Sequence, residues 1–121
     1  MVSDKPKLYD DALVSRIRAR LKSVRRVEEK RMFGSLAFMV EKKLCVTVGK
    51  KRIMCRIDPA IHEEALQRNG CRTVVMGGRQ YRGYVYVDAE AIKTKNELEQ
   101  WVGLALNYNS RAKASTRKRK T

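Results

Sequence analysis

The chain has 121 residues, 43% of them hydrophobic, and carries 28 Lys and Arg against 13 Asp and Glu, a formal charge of +15. That length holds one domain able to bury about two thirds of its unfolded surface, and the apolar share excludes wholesale disorder. The charge points to polyanionic partners at low salt and says nothing about fold.

Membrane and secretory readings find little support. The longest uninterrupted apolar run, Leu36 to Val40, is far short of the ~20 residues of a membrane span. The polar opening Met1 to Asp11 lacks the apolar stretch of a signal peptide, so a reducing cytoplasm is the expected setting. Cys45, Cys55 and Cys71 form no C-x-x-C pair, and His62 is the sole histidine. Buried apolar thiols are therefore expected, with no metal and no cofactor.

The first predicted element is a helix from Asp10 or Asp11, whose carboxylates suit a helix N-terminus. Leu13, Val14, Ile17, Leu21 and Val24 fall on one stripe about 100° wide. Arg16, Arg18, Arg20, Lys22, Arg25 and Arg26 occupy the rest of the circumference. They either solvate the helix or form one edge of a polyanion-binding surface.

Three strands follow. Arg31-Met32-Phe33-Gly34 leads into Leu36-Phe38-Val40 on one face, and Glu41-Lys42-Lys43 makes a turn. Leu44-Val46-Val48 forms the next covered face. After Gly49-Lys50-Lys51, Ile53-Cys55-Ile57 completes the set, with Arg52, Met54 and Arg56 pointing the other way. Alternation with short polar connections argues for an antiparallel meander.

Asp58-Pro59 starts a helix, with Asp as cap and Pro at the first helical position. Ile61, Ala65 and Leu66 give it an apolar side, and Asn69-Gly70 ends it after about three turns. Arg72 to Met76 is the fourth strand, Gly77 to Gly83 a loop, and Tyr84 to Val87 the fifth. Thr94-Lys95-Asn96-Glu97 fits a capping box and opens the last helix. Leu98, Trp101, Val102 and Ala105 lie on its buried side, with Trp101 as a core anchor.

This order, α-β-β-β-α-β-β-α, predicts an α+β fold of two layers: a five-stranded antiparallel sheet with helices on one face. Residues 1–110 form the domain and 111–121 a disordered basic tail carrying Arg111, Lys113, Arg117, Lys118, Arg119 and Lys120.

Catalytic motifs do not survive inspection. Gly78 and Gly83 stand at phosphate-loop spacing, but Tyr84-Val85 follows instead of Lys-Ser/Thr and opens a strand. Glu63 and Glu64 beside His62 read as an exposed helical face with no nucleophile to serve. One site hypothesis stands: Arg56, Arg79 and Arg82 converge on a phosphate or carboxylate, unless they simply solvate the outer sheet face.

Arg31-Met32-Phe33-Gly34, Leu36-Ala37-Phe38, Arg56-Ile57-Asp58-Pro59, Gly78 to Asp88 and Glu97 to Val102 together resemble the N-terminal domain of the TfoX (Sxy) family. The resemblance runs from about Lys30 to Tyr108. Ser35 stands where the family has a second glycine, and Gln80-Tyr81 where Pro-Met is usual. Lys42 or Lys43 replaces a hairpin glycine. The family is associated with regulation of competence genes. The resemblance implies a non-enzymatic regulatory or adaptor domain, and it makes a homodimer or a protein partner plausible. The charge adds an expected nucleic-acid partner, bound with little sequence preference through Arg16, Arg20 and the tail. The alternative is a protein-interaction module that works through a sheet edge.

Overall fold

The structure is a computed structural model and describes residues 8–32 and 34–112. Helix α1 spans Asp11–Arg20, and Asp10 caps it by accepting the Ala12 N–H at 2.7 Å. The strands are β1 (Val27–Met32), β2 (Ser35–Val40), β3 (Lys43–Val48), β4 (Arg52–Arg56), β5 (Cys71–Met76) and β6 (Arg79–Asp88). A 3-10 turn, Pro59–Ile61, leads into the short α2 (His62–Ala65). A second 3-10 turn, Ala89–Ile92, precedes α3 (Lys95–Asn109).

The architecture is α+β with one antiparallel sheet, ordered β1-β2-β3-β4-β6-β5. It has six strands, not the expected five. The additional strand is β1, which runs through four consecutive charged residues, Glu28 to Arg31, all exposed. It has no alternation to read because it buries no face. Backbone pairing to β2, from Val27 opposite Val40 to Met32 opposite Ser35, holds it in place. Its charges blunt an edge that would otherwise invite pairing with other chains.

The core lies between the sheet and the helices. Leu13, Val14, Ile17 and Leu21 from α1 meet Phe38, Val46, Ile53, Cys55 and Val85, with Leu98, Trp101, Val102 and Ala105 from α3. Trp101 is buried as expected. Thr94 and Glu97 form the capping box, each side chain accepting the other's backbone N–H at 3.0 Å. Burying each large side chain in this layer contributes about 1.5–3 kcal/mol.

Three sequence expectations change. A bulge between Phe38 and Met39 leaves Cys45 in the core beside Val46 and puts Leu44 on the opposite face. The middle helix is one 3-10 turn and one α turn instead of three turns, although Asp58 caps it through the Ala60 N–H as expected. The loop from Gly77 to Gly83 contracts to a two-residue turn, Gly77-Gly78, with φ of +59° and +76°. β6 therefore starts at Arg79, and Gly83 lies inside the strand.

Gly83 sits where the register slips, since Thr73 pairs with Val85 but Val74 pairs with Tyr81. Its φ is +93°, and a Cβ there would lie 3.1 Å from the Ile57 carbonyl oxygen and from Pro59. Only glycine fits both demands. The sheet curls about its helix-free face: Met32 and Ser35 from the β1–β2 end line the same groove as Val74 and Met76 from β5.

Candidate nucleic-acid interface

The expected site residues divide between two ends of the molecule. Arg16 and Arg20 of α1 lie at the start of α3. Arg16 donates to the carbonyls of Lys93 and Thr94 at 3.2 and 3.3 Å, and Arg20 forms a forked pair with Glu99. Arg18 forks onto Glu29 at 2.7 and 2.8 Å and holds that carboxyl below its usual range. Arg20 does the same to Glu99. A groove of about 560 Å³ runs between Arg16, Arg20, Lys93 and Lys95. Two of the guanidinium groups on α1 are thus engaged by carboxylates and a third by backbone oxygens.

The other end is where β4 finishes and α3 finishes, about 22 Å away along a 15-residue helix. Arg56 lies over Tyr84 at 5.5 Å and Tyr108 at 6.0 Å. Arg111 lies over Tyr108 at 5.2 Å and donates to Asp58 at 2.9 Å. Asp58 is pushed below its ordinary carboxyl range, first by the Ala60 N–H and then by Arg111. Arg56, Tyr84, Tyr108 and Arg111 form a cationic and aromatic cluster at the point where the basic tail begins. Lys113, Arg117, Lys118, Arg119 and Lys120 themselves lie outside the described residues.

The three arginines expected to converge on an anion take separate partners or positions. Arg56 stacks on tyrosines, while Arg82 pairs with Glu63 at 3.2 Å on α2. Arg79 is exposed beside the Gly77-Gly78 turn, opposite Met76. The bulge at Gly83 separates Arg82 from the register that carries Tyr84.

Sequence reasoning missed Arg52, Tyr84, Tyr86 and Tyr108. The signal was present in part, because Arg52, Met54 and Arg56 already alternate with core residues. What it lacked was the pairing of β4 with β6, which sets Arg52 opposite Asp88 and Arg56 opposite Tyr84. Arg52 then reaches across to lie 3.5 Å from the centre of the Tyr86 ring. Stacked guanidinium and phenol groups of this kind hold each other in fixed orientations.

The thiols behave as buried groups. Cys45 and Cys55 are fully enclosed and Cys71 half so. Burial pushes Cys45 up to about 12, Cys71 to about 11 and Cys55 higher still, so none is a thiolate at neutral pH. Among the described residues, no three of His, Cys, Asp and Glu gather as metal ligands. Among those residues, no helix is long and apolar enough to cross a membrane.

His62 is the largest surprise. It is fully buried, whereas Glu63 and Glu64 beside it are exposed as expected. The Gly83 N–H donates to its Nδ1 at 2.9 Å, so the neutral ring carries its proton on Nε2 and donates to Thr73 Oγ1 at 3.1 Å. The Gln80 side-chain amide nitrogen also lies 3.3 Å from Nε2. A single histidine thus ties α2 to β5 and to the bulge of β6.

Residues 19–108 match the family model of the TfoX N-terminal domain. The chain belongs to that family. No curated protein is significantly similar to it. A crystal structure of a protein from Pseudomonas syringae, from the Northeast Structural Genomics Consortium, aligns with a TM-score of 0.54 at 9% identity. It covers 75% of this chain and 93% of its own. That likeness concerns the fold, and a fold does not fix an activity. In this TfoX N-terminal domain, the matched span ends at Tyr108, within the aromatic and arginine cluster.

Proposed function

We propose that this TfoX N-terminal domain is a non-enzymatic regulatory or adaptor domain of the cytoplasm that binds nucleic acid with little sequence preference. The observation that carries the reading is the grouping of Arg56, Arg111, Tyr84 and Tyr108 where the chain continues into its five-cation tail. The tail cations neutralise phosphates and release counterions, while a fixed arginine and tyrosine platform sets where the strand lies. α1 contributes less than the sequence implied, because its arginines lie at the opposite end from the tail, on Glu29, Glu99 and the carbonyls before α3. The family's association with competence genes makes transcriptional regulation the natural setting.

The test is fluorescence anisotropy with labelled DNA and RNA across a salt series. Truncation after Ala112 removes Lys113, Arg117, Lys118, Arg119 and Lys120, and should flatten the slope of log K against log salt by about 3.5 units on a single strand and about 4.5 on a duplex. Equal slopes for the two proteins would show that the tail makes no phosphate contacts.

A second reading rests on the β5 edge. Val75 and Met76 are 55% and 52% exposed there, in contrast to the charged edge at β1. Such an edge suits a partner strand or a second copy. Sedimentation in about 0.5 M salt, where charge-driven binding is suppressed, separates the two readings. A dimer that persists there favours the edge.

A further inference from the structure

We propose that the groove on the helix-free face of the sheet receives an unstacked base of single-stranded nucleic acid. This rests on the nucleic-acid reading above and narrows it to single strands. The groove has a volume of about 310 Å³, within the range of small-molecule sites, and its walls are mainly Leu44, Met54, Val74 and Met76. Arg52 lies in the wall with its guanidinium group held against Tyr86 at 3.5 Å.

Charge decides the occupant. The lining residues include Arg52 and no carboxylate. Arg72 stands opposite Tyr86 on the adjoining strand and pairs at 3.1 Å with Asp88, which itself stands opposite Arg52, so two arginines and one carboxylate border the groove. An apolar recess whose border carries a net positive charge, on a chain of charge +15, complements a polyanion whose uncharged parts are flat rings. Phosphates meet the rim and a base enters the recess. Methionine side chains adapt to any of the four bases, so little sequence preference results. A duplex keeps its bases stacked inside and cannot use the groove.

The experiment compares the full chain binding a twelve-nucleotide (~12) single strand and a duplex of equal phosphate count, at about 0.1 M salt. The single strand carries 2-aminopurine, whose emission reports stacking. Tighter binding of the single strand with a changed 2-aminopurine signal is the expected result. Met54→Gln, which changes no charge, should then weaken single-strand binding about tenfold, the effect of losing one held base, and leave duplex binding unchanged. Should Met54→Gln fail to fold by circular dichroism, the equally uncharged Leu44→Gln carries the same test. Equal affinities with a silent 2-aminopurine, or an apolar dye held in the groove that the oligonucleotide does not displace, would overturn the proposal. Duplex binding that keeps its salt slope while both groove variants are silent removes this inference alone. No binding of either nucleic acid removes the underlying function as well.

Discussion

His62 shows how much one buried side chain can fix. Its two ring nitrogens reach Gly83 on β6 and Thr73 on β5 from a helix of four residues, a length that has almost no stability of its own. Burial, with Arg82 nearby, lowers its pKa from the ordinary 6.5, and Glu63 opposes the shift. The unfolded chain therefore takes up the proton first. Stability from this group is complete above about 6.5 and falls as the pH drops from there toward the lower folded value. Chemical denaturation of the wild type should show that decline well above the range where the depressed carboxyls of Glu29, Asp58, Glu97 and Glu99 titrate. His62→Ala leaves the Gly83 N–H unpaired and should cost about 1–3 kcal/mol, while abolishing the decline that begins as the pH falls below about 6.5. An unchanged pH profile in that variant would show the imidazole is not the titrating group. Nothing in the sequence marked His62 as buried. A histidine beside two glutamates has the pattern of a solvated turn, and only the bulge at Gly83 brings a backbone donor to it.

Among the elements, the β2–β3 hairpin turns through two residues that both adopt left-handed conformations, Glu41 at φ +54° and Lys42 at +65°. A two-residue turn of that kind matches the twist of its strands but suits asparagine and glycine. The left-handed region costs an ordinary residue about 1–2 kcal/mol, part of which glycine returns through its freedom in the unfolded chain. Lys42→Gly should accordingly raise unfolding stability by about 0.5–1 kcal/mol, read as an increase in denaturation midpoint with unchanged slope. A lower midpoint would mean that the turn draws its stability from the lysine side chain. The family's glycine at this turn was legible from sequence as a departure at Lys42 or Lys43, and the left-handed pair supplies its physical cause. The strands themselves were readable wherever one face enters the core, as in Ile53-Cys55-Ile57. β1 was not, because pairing to β2 holds it and no side-chain pattern records that.

At the scale of the whole molecule, the cations sit in unlike surroundings at its two ends. Arg16 is spent on the carbonyls that precede α3, whereas Arg56 faces tyrosines at the end where the tail begins. Each is a single charge, so net charge alone predicts equal effects on removal. The proposed interface predicts otherwise: Arg56→Ala should weaken binding of a short oligonucleotide about three- to tenfold at ~0.1 M salt, and Arg16→Ala less than about twofold. Anisotropy titrations of both variants decide this, and equal losses would point to diffuse attraction with no preferred end. Thermal melts alongside guard against a folding defect, since Arg16 also supports the start of α3.

Composition, alternation and capping residues by themselves determined that this chain folds as α+β, most of the residues that enter its core, and where its first and last helices begin. Those features depend on hydrophobic burial and on local hydrogen bonding, both of which leave periodic or short-range traces. The neighbour order β4-β6-β5, the curl that joins Met32 to Met76, the sharing of arginines between two ends and the burial of His62 were decided only in three dimensions. They follow from pairing between strands distant in the chain and from one glycine bulge, and neither long-range register nor the partner of a charged side chain is encoded in a residue's immediate neighbours.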